Sequence, residues 1–187
     1  MKIIGTEIEE VKVIQPKVFG DNRGWFTEIY NLEKFQSDGI NNQFVQDNHS
    51  FSAEIGTLRG LHFQDNPSAQ AKLVRCTKGK IFDVAVDIRK GSPTYGKWVG
   101  VELTSENKQQ LFIPRGFAHG FVTLTSDVEV QYKVDNLYDP SSDRSIIWND
   151  ELINIKWPID IEPILSEKDK NAKKLDEVQN SFVYGEV

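Results

Sequence analysis

Apolar residues recur at every second position over most of this chain, the period of a β-strand with one buried face. Residues 81–88 set Phe82, Val84, Val86 and Ile88 on one side. Residues 128–135 alternate more sharply, with Val128, Val130, Tyr132 and Val134 against Glu129, Gln131, Lys133 and Asp135. Runs at 10–14, 25–30, 43–48, 58–63, 72–77, 98–103 and 110–113 read as further strands. Gly, Pro and Asn punctuate them in GDNRG, QDNPS, KGSPTYG and DPSSD, which are turn signals. Many short strands at this spacing predict a sandwich or barrel, not alternating βαβ units. Helical patterning is confined to roughly 31–37 and to a segment from Ser166 to about Gln179, whose Ser-x-x-Asp start resembles a capping box. With no repeat, linker or low-complexity tract, the expectation is one domain over 1–187. It divides into a β portion at about 10–160 and a C-terminal helical appendage at about 161–187.

Composition narrows the partners. Eleven Phe and four Trp among 187 residues are ample for a filled core. A net charge of −6 argues against nucleic acid or an anionic membrane as partner, and a small anionic substrate would need a local cluster of Arg and Lys. The start, MKIIGTEIEE, lacks a basic region followed by an apolar run, and no stretch reaches the roughly 18 apolar residues of a membrane span. The single Cys76 cannot form an internal disulfide and suits a reducing, cytoplasmic setting, where a small buried residue is its expected role.

Candidate chemistry centres on three histidines: His49 in QDNHS, His62 in LRGLHFQ and His119 in IPRGFAHGF. The Pro114-x-Gly116-x-x-His119 spacing resembles the second motif of the cupin superfamily, where a turn aims a His into a jelly-roll barrel. Metal-binding cupins carry His-x-His in their first motif, whereas LRGLHFQDN has one His. A metal site would need His49, His62 and His119 to converge without a shared local motif. His49 reads as a hydrogen-bonded structural residue. Tyr132 shares the apolar face of its strand, so its hydroxyl needs an interior partner, either backbone or ligand. Lys72 shares a face with Val74 and Cys76, and either points inward or snorkels to the rim. By spacing alone Asp169 is the helix-start acid of a capping box.

The runs PKVFGDNRGWFTE, FVQDNHS, LRGLHFQ, KLVRCTKGKIFDVAVDIRKGSPTYGKW, IPRGFAHGF and YDPSSDRSIIWND, in this order, resemble the dTDP-4-dehydrorhamnose 3,5-epimerase family from about residue 10 to Lys168-Asp169. The resemblance implies a mainly β, cupin-type jelly-roll barrel, a homodimer, a dTDP-sugar substrate, and neither metal nor other cofactor. It implies His62 as base, Tyr132 as proton donor, Lys72 at the enolate and Asp169 behind His62. Substrate contacts are implied for Phe19, Arg23, Phe26, Glu28, Gln46, Asn48, Arg59, His119, Tyr138, Asp143 and Lys168, with Tyr138 stacking on thymine. Asp143 departs from the Glu expected in several relatives.

Inverting a carbon beside a ketone needs a base on one face, an acid on the other, and positive charge or donors at the oxygen. Histidine, with an ordinary pKa near 6.5, is a base at neutral pH, and a carboxylate on its other nitrogen fixes the tautomer. Tyrosine keeps its proton until an enolate carbon demands it. Arg23 and Arg59 would supply the local positive patch that a diphosphate requires.

Overall fold

The computed structural model describes residues 1–186. Its elements run β1 (Lys2–Gly5), β2 (Lys12–Gln15), β3 (Val18–Asp21), β4 (Gly24–Thr27), α1 (Leu32–Ser37), β5 (Gln46–Ser52), β6 (Leu58–Gln64), β7 (Lys72–Lys78) and β8 (Lys80–Asp87). They continue with β9 (Trp98–Thr104), β10 (Gln110–Ile113), β11 (Phe117–Thr123), β12 (Val128–Val134), β13 (Asp143–Ser145) and α2 (Glu167–Lys170). Two antiparallel sheets form, ordered β1-β2-β10-β7-β12-β5 and β13-β6-β11-β8-β9, with β3-β4 as a separate hairpin. This is the mainly β jelly-roll architecture expected of the chain.

The alternation along each strand has a direct structural meaning. Inward residues of both sheets meet in one core that includes Val74, Cys76, Ile81, Ala85, Leu103, Leu111, Phe121, Val128 and Val130. The outer faces are covered too. Phe82, Val84 and Val86 of β8 turn outward and pack under Ile146, Ile153, Ile155, Trp157, Leu175 and Phe182 from the C-terminal third. On the other sheet, Ile14, Leu73 and Phe112 lie against Phe35 of α1 and Ile40. Cys76 is buried and donates to the Lys78 carbonyl at 3.1 Å, and burial pushes its thiol up to about 11.

Several boundaries differ from the sequence expectation, each for a physical reason. β11, unexpected, is buried at all seven positions, so it shows no polar alternation to read. β5 runs to Ser52 instead of ending near residue 48. Its inward residues Gln46, Asn48, Ser50 and Ser52 are polar, which inverts the usual code. α1 matches expectation, with the Asn31 side chain accepting from the Lys34 N–H. The expected helix from Ser166 to Gln179 is a single turn that stops at Asn171. Downstream backbone is committed elsewhere: the Ile147 N–H donates to the Lys173 carbonyl at 2.8 Å, and the Leu175 N–H to the Asp150 carboxylate at 2.8 Å. Leu175 and Phe182 are thereby pressed singly into the outer cluster.

A close approach between β6 and β11 positions the interior histidines. Gly60 has φ 136°, and a Cβ there would lie 2.5 Å from the Gly120 Cα. With the irregularity between His119 and Phe121, this contact sets His62 in register opposite His119. No helix among the described residues is long and apolar enough to cross a membrane.

The tail therefore acts as a structural cover. Phe182 is 1% exposed and its ring lies 6.0 Å from that of Phe63. Phe182→Ala is expected to destabilise the protein by about 3–5 kcal/mol, read as a lowered denaturant midpoint.

Candidate active site

At one end of the space between the sheets, polar side chains replace the apolar filling. Two cavities of about 400 Å³ and about 320 Å³ share His62, Lys72 and Tyr132 as lining residues. The first also reaches Ser50, Arg59, His119, Phe121 and Asp169. The second reaches Gln46, Asn48, Tyr138, Asp143 and Lys168. One sheet supplies Gln46, Asn48 and Ser50 from β5, Lys72 from β7 and Tyr132 from β12. The other supplies Arg59 and His62 from β6 and His119 from β11. The α2 turn closes the group with Lys168 and Asp169.

His62 Nε2 lies 2.5 Å from Asp169 Oδ1. A carboxylate only accepts at this distance, so Nε2 carries a proton, and in the neutral ring Nδ1 is the nitrogen with the free lone pair. Asp169 also fills its helix-start role, because its backbone N–H donates to Ser166 Oγ at 3.1 Å. The cap and the histidine contact therefore use different atoms of one residue. Burial by itself would raise the Asp169 carboxyl, but the hydrogen bond and charge of His62 outweigh it and hold the group below the usual range.

Lys72 is 8% exposed, and its Nζ donates to the His62 carbonyl at 3.2 Å. It points inward and does not snorkel. Burial lowers its pKa to about 8, against the opposing pull of Asp83 and Asp143. Tyr132 packs against the central core, and burial raises its hydroxyl, countered in part by the charge of Arg59. His119 Nε2 meets Asp83 Oδ1 at 2.7 Å, and burial holds the imidazole below its ordinary value, hence neutral at pH 7. Arg59 donates from Nε to Ser52 Oγ at 3.2 Å and from a terminal nitrogen to the Phe51 carbonyl at 3.0 Å. Both acceptors are neutral, so its charge stays available to a ligand.

At the mouth, Lys168 Nζ and Asp143 Oδ2 are 2.5 Å apart, and the Tyr138 hydroxyl is 3.5 Å from the same carboxylate. Gln46 donates to Asn48 Oδ1 at 3.0 Å and accepts the Tyr138 N–H at 3.1 Å. The shorter Asp143 still reaches the site through these contacts.

Four expected residues lie outside this lining. Phe19, Arg23 and Phe26 sit on the β3-β4 hairpin, whose own cleft contains no His62 residue. Phe26 is 70% exposed, and Arg23 is engaged by Asp21 at 2.5 Å. Glu28 follows the hairpin and accepts from Lys34 and Asn31. His49 faces the opposite side of β5, 3.1 Å from Glu129, so the three histidines do not converge. Among the described residues no three His, Cys, Asp or Glu side chains form a metal-ligand set. Ser50 and Asp83 are among the polar residues at the site that the sequence did not single out. Ser50 has a buried hydroxyl without a partner, on the inward stripe of β5. Asp83 shares the parity of Ile81 and Ala85, and an acid at that position within IFDVAVD was the available signal.

Chemically, a histidine with one nitrogen held by a carboxylate can take a proton from carbon. A tyrosine and a buried ammonium beside it can return a proton and stabilise an oxyanion.

Comparison with known proteins fits this chemistry. The family described as dTDP-4-dehydrorhamnose 3,5-epimerase matches residues 5–177. A relative of that name from Salmonella typhimurium is 57% identical over 178 residues, 95% of this chain and 97% of its own length. A crystal structure of dTDP-6-deoxy-D-glucose-3,5-epimerase from Legionella pneumophila, in complex with dTDP-4-keto-L-rhamnose, has TM-score 0.92 and 47% identity, covering 95% of this chain and 94% of that one. A Bacillus anthracis dTDP-4-dehydrorhamnose 3,5-epimerase with TDP and PPi bound has TM-score 0.90 and 48% identity, covering 92% and 98% respectively.

The buried lysine gives a direct check on the electrostatics of the site. In the protein without substrate, NMR of labelled lysines is expected to show one ammonium titrating near pH 8, absent in Lys72→Met. Titration of every lysine above pH 10 would contradict it.

Proposed function

The chain belongs to the dTDP-4-dehydrorhamnose 3,5-epimerase family, and we propose that its interior cavity performs the family reaction with His62 as base and Tyr132 as acid. The substrate is dTDP-4-dehydro-6-deoxy-D-glucose, inverted at C3 and C5 to dTDP-4-dehydro-L-rhamnose, a step of dTDP-rhamnose biosynthesis. The observation that carries the residue roles is the 2.5 Å His62–Asp169 contact within a cavity that Tyr132 and Lys72 also line.

Each inversion starts when His62 Nδ1 takes the proton from the carbon next to the ketone. The electron pair moves onto the ketone oxygen as an enolate, and the imidazolium is stabilised by Asp169. Lys72 donates to that oxygen, where an ammonium in a dry site is worth far more than in water. Tyr132 then protonates the carbon from the opposite face. Its raised pKa suits this order, because the proton stays on oxygen until the enolate has formed. His62 returns its proton to solvent, Tyr132 recovers one, and the cycle repeats at the second carbon. Gln46, Asn48, His119, Asp143 and Lys168 orient the sugar and nucleotide, Arg59 meets the diphosphate, and Tyr138 stacks on thymine. No metal or other cofactor enters this scheme.

Phe19, Arg23, Phe26 and Glu28 join the scheme through a second copy of the chain. In a homodimer the exposed hairpin of one protomer would complete the cavity of its partner, adding Arg23 to Arg59 at the diphosphate. The C-terminal residues 161–187 work as part of one domain, since α2 brings Lys168 and Asp169. The lone Cys76, which suits a reducing setting, supports a cytoplasmic location for this activity.

Three outcomes test these assignments. In deuterated buffer, substrate is expected to gain label at both C3 and C5 by NMR, and label at one carbon only would reduce the reaction to a single inversion. His62→Ala should lower turnover by roughly a thousandfold or more while dTDP binding is largely kept, whereas Tyr132→Phe should still exchange protons with solvent but accumulate little inverted product. For the dimer, His62→Ala and Arg23→Ala chains, each inactive, should regain activity when mixed and refolded together. Hybrid dimers with crossing hairpins hold one intact site, and no recovery is expected if each hairpin serves its own chain.

A further inference from the structure

Asp83 stands out among the buried groups because fold stability gives no reason for it. It lies on β8 with its side chain inward, between Ile81 and Ala85, and it is 0% exposed. An aliphatic residue would fill this position at no electrostatic cost, whereas a lone buried carboxylate is expensive. One oxygen, Oδ1, is held by His119 Nε2 at 2.7 Å. The other, Oδ2, is buried and meets no partner.

The nearest use for that charge is Lys72. The Lys72 ammonium is buried as well, and its one acceptor among the described residues is the neutral His62 carbonyl at 3.2 Å. Asp83 leads the charges that favour its protonated form, followed by Asp143, while Lys168 at the mouth opposes them. Arg59, His62, His119 and Tyr132 face the same space from the neighbouring strands, and Asp169 from the α2 turn. Lys72 and Asp83 nevertheless form no direct ion pair among the described residues; the partner of the carboxylate is His119, on Oδ1. A direct pair would occupy the donors of Lys72. Held apart, the carboxylate supplies counter-charge through a dry medium and leaves two N–H groups of the ammonium for a ligand oxygen.

We propose that Asp83 is a positioning residue for the epimerisation: it keeps Lys72 cationic with free donors and fixes the ring of His119 at the same wall of the cavity. This rests on the reading that Lys72 faces the ketone oxygen. Removing the carboxylate charge lowers the pH at which Lys72 loses its proton, so the ammonium is depleted at working pH.

The test is Asp83→Asn, which keeps an acceptor for His119 and removes the charge, with Asp83→Ser as the second variant. Near-UV circular dichroism and thermal unfolding establish that each is folded. The expected result is a fall in kcat of about threefold at pH 7.5, growing toward tenfold above about pH 8.5, with KM changed by less than about twofold. The alkaline limb of the kcat profile should move toward lower pH by about one pH unit, and the Lys72 NMR titration should move with it. A kcat and limb matching the unaltered protein overturn the proposal. So does failure of both variants to fold, which would make Asp83 a structural residue. His62→Ala separates this from the underlying reading. If it abolishes solvent exchange while Asp83→Asn changes nothing, only the Asp83 inference falls. If it leaves exchange intact, the catalytic reading itself falls.

Discussion

If His62 is to move protons between two β-sheets it has to be held in place there, and the holding contact is its hydrogen bond to Asp169. The two residues are 107 positions apart, on a strand and on a four-residue helical turn. Chain on both sides of that turn is stitched to the strand that carries His62. Before it, the Leu58 N–H donates to the Ile164 carbonyl at 3.0 Å. After it, Lys173 pairs with Ile146, and Ile146 exchanges two backbone hydrogen bonds with Leu61 at 3.0 and 2.9 Å. Asp169 is thus located from two directions, and the Ser166 cap fixes its backbone. A carboxylate this constrained can orient an imidazole with little loss of side-chain entropy when the reaction begins.

That arrangement is tolerable because apolar burial is spread over three clusters. A sandwich with one core would lose much of its stability if half the interior were given to lysine, aspartate and histidine. Here both outer faces are covered as well, one by α1 and one by the C-terminal third. Phe82 and Val84 face outward into one of these clusters while Asp83 between them faces inward and holds His119, so a single strand serves both purposes. Strand β5 shows the complementary device. Its inward stripe of Gln46, Asn48, Ser50 and Ser52 lines the polar end, and the apolar Phe51 turns out.

The same features decide what could be read from sequence. β8 and β12 were legible because their alternation reports two different environments, and α1 because Asn31 marks its start. β11 was not, since a strand buried on both faces has no polar phase. The length of β5 was hidden because its inward residues are the polar ones. In the tail, Leu175, Val178 and Phe182 fall at helix-like intervals, yet each docks separately, and tertiary pairing overrides the local pattern. Motif, parity and the family resemblance together pointed to His62, Tyr132 and Lys72, and the three line one cavity. The contact of Asp169 with His62 follows from the resemblance and not from its spacing, which marks only a helix start. The hairpin residues Phe19, Arg23 and Phe26 lie away from the cavity of their own chain, which no pattern along a single sequence can announce.

Charge resolves the remaining tension between an acidic chain and an anionic substrate. With a net charge of −6, the protein repels a diphosphate at long range unless local cations dominate near the site. Most cations at or near the expected substrate contacts are spoken for: Lys168 by Asp143, Arg23 by Asp21 and Lys34 by Glu28. Arg59 and Lys72 differ, because their hydrogen bonds go to neutral oxygens. A charge without a direct ion-pair partner in a partly dry cavity projects further than one in a surface ion pair. Both line the cavity that holds His62, so the positive charge offered there to an anionic ligand comes from two residues without an ion-pair partner among the described residues. The fold keeps these two cations unpaired by spending its carboxylates elsewhere, Asp169 on His62 and Asp83 on His119.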